Sequence, residues 1–239
     1  MNDHLVLVSG TSATGKSLSL RNIKNPEGVM YLNTEVGKKL PFPSKFKEFT
    51  ITDPMQVYEA FAKAEEMPEI HTIIVDSLTF LMDQYETQYV LTSDNTMKAW
   101  GDYSQYFKIL MSTYVAKSTK NVIFTAHTLD VRNEKELTMD TLVKVKGSLM
   151  NNGIESWFSC VISTKKLPLG QLADLKDTPL RNITEMEDSL GLKYVYQTQL
   201  TKKTVNDRIR SPLAMWNREE TFIDNDVQLV LDRLAEYYK

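Results

Sequence analysis

The 239-residue chain predicts an α/β fold: a mostly parallel central sheet flanked by helices, with antiparallel strands added toward the C-terminus. Three observations carry this. Short, continuous apolar runs alternate with segments of helical period, the pattern of strands buried on both faces between helical crossovers. The first run, Leu5–Val8, ends in a glycine-containing loop, Gly10 to Gly15. Late in the chain, Lys193–Leu200 alternates polar and apolar residues instead, as a half-buried antiparallel strand does.

Taken in order, Leu5–Val8 reads as a buried strand, followed by a loop and a helix that starts near Lys16. Val29–Asn33 and Phe49–Ile51 read as the next strands. Asp53-Pro54 pairs an N-cap with a proline at the first helical position, so a helix runs to about Met67. Thr72–Val75 is a strand ending at Asp76, and Leu78–Leu91 is helical. Met97–Lys117 carries Trp100, Tyr103, Phe107, Leu110, Met111 and Tyr114 at helical spacing, a stripe expected in the core. Asn121–Ala126 is a buried strand ending beside His127. Residues 128–147 lose the apolar signal and read as a long loop or an exposed hairpin. A short helical piece over Ser148–Ser156 leads to a strand, Phe158–Thr164. Residues 167–192 read as polar and irregular, and Asp226–Tyr238 as a closing amphipathic helix capped by Asn225 or Asp224. With no repeat and no linker, the chain reads as a single domain.

The composition excludes several classes. With 42% hydrophobic residues and a net charge of -3, the chain is neither disordered nor a strongly basic nucleic-acid binder. One cysteine and three histidines leave no dedicated Cys/His zinc site, and Cys160 has no partner for a disulfide, which points to a reducing, cytoplasmic setting. The start, MNDHLVLVSG, is acidic and enters a short strand at once, unlike a signal peptide, and no apolar window is long enough to span a membrane. The average charge hides a split. Residues 141–218 hold 12 Lys/Arg against 7 Asp/Glu, while the remainder holds 16 against 24.

Gly10-Thr11-Ser12-Ala13-Thr14-Gly15-Lys16-Ser17 fits the phosphate-binding pattern G-x-x-x-x-G-K-(S/T), in the required place between a strand and a helical segment. Glycines let successive backbone N–H groups face a polyphosphate, Lys16 reaches its outer phosphates, and the Ser17 hydroxyl suits Mg²⁺. Asp76, at the end of an apolar strand, suits the second Mg²⁺-holding position, acting through a coordinated water; as an alternative it caps the next helix. ATP and Mg²⁺ are the implied cofactors. Glu35 follows the strand Val29–Asn33 and is a candidate general base, or else a solvated loop acid. His127 is a candidate γ-phosphate contact, or else a strand-capping histidine.

These positions together resemble the RecA-like branch of P-loop ATPases, and among them the phage single-strand-annealing recombination proteins of the Sak type. The likeness rests on the P-loop, Thr72-Ile73-Ile74-Val75-Asp76-Ser77, Glu35, His127, Gly147–Lys166, Trp100-Gly101-Asp102-Tyr103, and Tyr194–Thr198 followed by Asn206-Asp207-Arg208. It implies a RecA-like core with Glu35 as catalytic base, His127 as sensor, residues 128–147 as a DNA-contacting loop, and Arg208 as a finger into a neighbouring subunit's nucleotide. Where that family carries Lys, this chain has Asn206. It further implies a homo-oligomer, ring or filament, single-stranded DNA as partner, a phage single-strand-binding protein as a further partner, and residence in a bacterial host's cytoplasm. The basic segment carries Lys144, Lys146, Lys165, Lys166, Lys202, Lys203, Arg208 and Arg210, suited to DNA phosphates or else to an acidic neighbour. Trp157 is a candidate for base stacking; Phe158, beside it, is expected in the core. Two other readings fit a P-loop. A small-molecule kinase needs an Arg-bearing lid, yet Arg132 is the only Arg in residues 22–180. A nucleotide-switched adaptor would use the 128–147 segment to recruit a protein.

Overall fold

The computed structural model describes residues 2–134, 137–173 and 175–239. Period-two alternation organises its centre. In strand β1 (Leu5–Gly10), Leu5 and Leu7 face one core and Val6 and Val8 the other. The strands are then β2 (Val29–Asn33), β3 (Lys47–Thr50), β4 (Thr72–Asp76), β5 (Asn121–Asn133), β6 (Thr138–Val143), β7 (Cys160–Pro168), β8 (Leu192–Gln197) and β9 (Phe222–Asp224). They form one sheet in the order β3-β2-β4-β5-β1-β7-β8-β9, with β6 hairpinned onto β5. β3 through β7 along that path are parallel, while β7–β8, β8–β9 and β5–β6 are antiparallel. The expected fold class is therefore the observed one.

Helices cover both faces. α1 (Gln56–Glu66), α2 (Leu78–Tyr85) and α3 (Thr96–Ile109) bury Phe61, Leu81 and Phe107 against Leu7, Ile73 and Phe124. On the other face, α7 (Val227–Tyr237) packs Val230, Leu231 and Leu234 over Val6, Val8, Ile74 and Tyr196. The aromatic stripe of α3 lies in the core as expected: Tyr103 and Phe107 are buried. Phe61 is 1% exposed. Phe61→Ala is expected to destabilise the fold by about 3–5 kcal/mol through lost burial and a residual cavity, read as a lower urea midpoint with unchanged slope.

Several elements differ from expectation. The helix after the phosphate loop is a single 3₁₀ turn, Ser17–Leu20. The Ser19 hydroxyl donates to the Lys16 carbonyl at 2.6 Å, a local bond that competes with helix propagation, and Asn25 in a left-handed conformation followed by Pro26 ends any continuation. β5 does not stop at Ala126 but runs through His127 to Asn133, because β6 pairs with its second half from Thr128↔Val143 to Asn133↔Thr138. Of the two readings for residues 128–147, the described part is the hairpin. The short helical piece expected over Ser148–Ser156 is α4 (Gly147–Asn152) followed by a 3₁₀ turn, Ile154–Trp157, and residues 167–192 contain two short helices, α5 (Gly170–Ala173) and α6 (Glu185–Leu190). α6 is held by a Thr184–Glu187 capping box and buries none of its side chains, so it has no apolar period to betray it. The closing helix is capped by Asp226, whose Oδ1 accepts from Gln228 N at 2.9 Å, and not by Asn225 or Asp224.

Candidate nucleotide site

The parallel pairing of β1 between β5 and β7 brings the phosphate loop to the C-terminal edge of the sheet, with Gly10 in register with His127. Gly10 has to be glycine: a Cβ there would lie 2.1 Å from Thr164 Oγ1. Gly15 adopts φ +90°, and its would-be Cβ would meet Asn225 and Tyr194. Between them the Thr14 hydroxyl bonds Thr164 Oγ1 at 2.6 Å, anchoring the loop to β7. Ser12, Ala13, Gly15, Lys16 and Ser17 line a cavity of about 310 Å³ together with Glu35, Lys38 and His127.

Lys16 is buried, and its Nζ donates to the carbonyls of Gly10 at 3.0 Å and Thr11 at 2.8 Å. Burial pushes its pKa down to about 8 against the pull of the Asp76 and Glu35 charges. His127 Nδ1 lies 3.4 Å from Lys16 Nζ, and its Nε2 lies 3.6 Å from Glu35 Oε1. A tautomer with the proton on Nε2 satisfies both contacts: Lys16 donates to Nδ1 and Nε2–H faces the carboxylate. Lys38 Nζ closes the chain with a tight ion pair to Glu35 Oε2. Burial raises the Glu35 pKa, but hydrogen bonds and charges from His127 and Lys38 outweigh it and hold the carboxyl at about 2. The four side chains thus form a relay, Lys16–His127–Glu35–Lys38, along one side of the cavity.

The end of β2 is welded to the end of β4, and this sets Glu35. Thr34 N donates to Asp76 O at 2.9 Å, and the Thr34 hydroxyl donates to Ser77 O at 2.7 Å. Gln84 on α2 donates to Thr34 O at 2.9 Å. Asp76 itself is 3% exposed and held on both oxygens: Tyr31 Oη donates to Oδ2 at 2.8 Å, and the Thr125 hydroxyl donates to Oδ1. The register explains both bonds. Tyr31 opposes Ile74, two residues before Asp76 on the same face, and continuing the β4–β5 pairing sets Asp76 beside Thr125. Asp76 does not cap the following helix; that is Ser77, whose side chain accepts from Phe80 N.

The oxygen donors Ser17 and Asp76 suit a hard cation such as Mg²⁺. Among the described residues no cluster of three or more His, Cys, Asp or Glu side chains could hold a metal alone. A cation here would have to draw its remaining ligands from substrate phosphates and water. Tyr31, Thr125 and Lys38 escaped the sequence reading. Tyr31 and Thr125 are ordinary strand residues until the register is known, whereas Lys38, three residues after Glu35, was the one local signal. Tyr31→Phe removes a hydroxyl and keeps the ring. It is expected to raise the Mg²⁺ concentration needed for half-maximal nucleotide binding roughly tenfold, measured by titrating a fluorescent nucleotide across Mg²⁺ concentrations.

Arg208 lies outside the cavity lining. Its Nη1 pairs with Glu155 Oε2 of the same chain at 3.5 Å, over Gly153. The buried Glu155 also accepts from Val143 N at 2.7 Å, and Thr141 N donates to Asn206 O at 3.2 Å, so the Arg208 segment is tied to the hairpin. Phe158 is core, packed edge-on against Phe124, while Trp157 is 40% exposed. The basic segment is partly neutralised internally. Lys146 pairs with Glu86, Lys165 with Asp207, and Lys193 with Glu187 and Asp224. Lys144, Lys166, Lys202 and Lys203 are exposed and form no ion pair among the described residues.

A phosphate loop at the carboxyl edge of a parallel sheet, with a buried acid on a neighbouring strand, defines a P-loop nucleotide-binding domain. A family model described as an AAA domain matches residues 3–177, most of the chain, and the chain belongs to that family, whose members are typically ATPases. No curated protein is similar enough to the chain to count as a match. Among the described residues no helix is long and apolar enough to cross a membrane.

Proposed function

We propose that this protein is a Mg²⁺-dependent, RecA-like ATPase that binds single-stranded DNA and promotes annealing or strand exchange. The observation that carries the catalytic part is the convergence of Lys16, His127 and Glu35 on one cavity beside the phosphate loop. In this reading a water oxygen attacks the terminal phosphorus of ATP and passes its proton to Glu35. The bond to the β–γ bridging oxygen breaks, releasing ADP and phosphate. Lys16 and the loop N–H groups stabilise the charge gathering on the phosphate oxygens. His127 orients Glu35 and carries the state of the site into β5. Ser17 and Asp76 would hold Mg²⁺, which would supply neutralisation of phosphate charge.

The DNA part is supported by position and charge. The β5–β6 hairpin begins at Thr128, next to His127, whose carbonyl accepts from Lys144 N at 2.7 Å, so His127 adjoins both the cavity and the hairpin base. Lys144, Lys166, Lys202 and Lys203 offer unpaired cations, and the hairpin exposes Leu137 and Met139. Arg208 is 38% exposed, and service as a finger to a neighbouring chain's nucleotide would require it to leave Glu155. Fluorescence anisotropy of a labelled oligo-dT at two salt concentrations tests this reading. Binding should weaken at the higher salt and weaken further on Lys144→Glu with Lys202→Glu. No salt-sensitive binding, with or without ATP, would instead favour the adaptor reading.

A further inference from the structure

We propose that Lys38 is a γ-phosphate-contacting catalytic residue supplied by the same chain, exchanging its place on Glu35 for the terminal phosphate of a bound nucleoside triphosphate. The inference rests on the nucleotide reading above and goes beyond it by adding a discriminating cation to the site.

The local structure builds Lys38 toward the cavity. Residues 35–38 form a tight turn, with Lys38 N donating to Glu35 O at 2.9 Å and Gly37 at φ +85°. Asn33, buried at the end of β2, clamps both ends of this turn. Its Oδ1 accepts from Glu35 N at 3.0 Å, and its Nδ2 donates to Lys38 O at 2.8 Å and to Glu48 at 2.9 Å. The backbone of Lys38 is therefore fixed, and its side chain folds back over Glu35 into the cavity wall.

The two partners differ in freedom. Glu35 is 9% exposed and held from Oε1 by His127, whereas Lys38 is 57% exposed, on a flexible four-carbon stem. In an ion pair of this kind the lysine is the member that moves. Lys38 occupies Oε2, the carboxylate oxygen that His127 leaves available for a water. A terminal phosphate carries more negative charge than one carboxylate and would enter the same cavity, which Lys16 and Lys38 both line. It competes for the Lys38 ammonium, and departure of Lys38 leaves Oε2 open to the attacking water. A diphosphate places no charge at that depth and leaves the Lys38–Glu35 pair intact. Lys38 thereby ties the availability of the base to the presence of the γ-phosphate, without any residue from a neighbour.

Equilibrium titration of the full chain with Mg²⁺ and either AMP-PNP or ADP tests this. Lys38→Gln is expected to weaken AMP-PNP binding about tenfold while leaving ADP binding within about twofold, and Lys38→Arg should recover most of the loss. Lys63→Gln, on an exposed lysine of α1 that does not line this cavity, should not reproduce the selective loss. Equal weakening of both nucleotides, or no change in either, overturns the proposal while the nucleotide reading stands. Failure of the wild-type chain to bind either nucleotide overturns both.

Discussion

Glu35→Gln is expected to lower phosphate release from ATP by about 10²–10⁴-fold while nucleotide affinity stays within a few-fold of wild type. The substitution keeps size and hydrogen-bonding capacity and removes the proton acceptor. The surroundings of Glu35 keep it in the unprotonated form that a proton acceptor needs, and departure of Lys38 to the phosphate would raise its proton affinity. Its carboxyl is held at about 2 because the bonds from His127 and Lys38 outweigh its burial, so it is ionised throughout the working range. The same depression has a stability consequence. Because the folded pKa lies below the unfolded one, Glu35 contributes stability that is fully present above about pH 4.5 and is lost as the pH falls toward 2. Urea midpoints of wild type and Glu35→Gln should converge across that interval. A variant that turns over normally would return Glu35 to the status of a loop acid held by Lys38 and His127.

Lys16→Met should weaken nucleotide binding by roughly 100-fold, corresponding to about 3 kcal/mol of charge-assisted bonds to phosphate. The fold should survive, because methionine keeps the apolar stem and the loop is anchored independently through Thr14 and Thr164. In the structure the Lys16 ammonium binds the carbonyls of Gly10 and Thr11, and its pKa near 8 reflects the cost of holding that charge in a buried place. A polyphosphate is the partner that would favour the charged form. Equilibrium titration with a fluorescent ATP analogue reads the effect directly. Unaltered affinity would mean that the cavity beside the loop is not where nucleotide binds.

Much of the fold was legible because its signals are local. The apolar runs of β1, β4 and β5 and the stripe of α3 each announce themselves within a few residues, and the phosphate loop is a contiguous motif. What stayed hidden depends on partners distant in sequence. Tyr31 and Thr125 become supports of Asp76 only when three parallel strands are laid in register. His127 reads as a strand end until the residues after it find β6. α6 lacks a buried face and is announced only by its cap. The 3₁₀ turn after Lys16 shows the opposite failure, since a strong motif predicts a helix that Ser19 and Pro26 curtail. The anion site accordingly relies on loop N–H groups and Lys16, more than on the dipole of a long helix. The charge split, too, is softened by structure, because several lysines of the basic segment are paired within the chain.

Phosphate release from ATP by the purified full chain, measured across protein concentration with and without single-stranded DNA, tests the central claim most directly. The account predicts Mg²⁺-dependent release whose rate per chain rises with protein concentration and with DNA. Absence of release under every condition would contradict it.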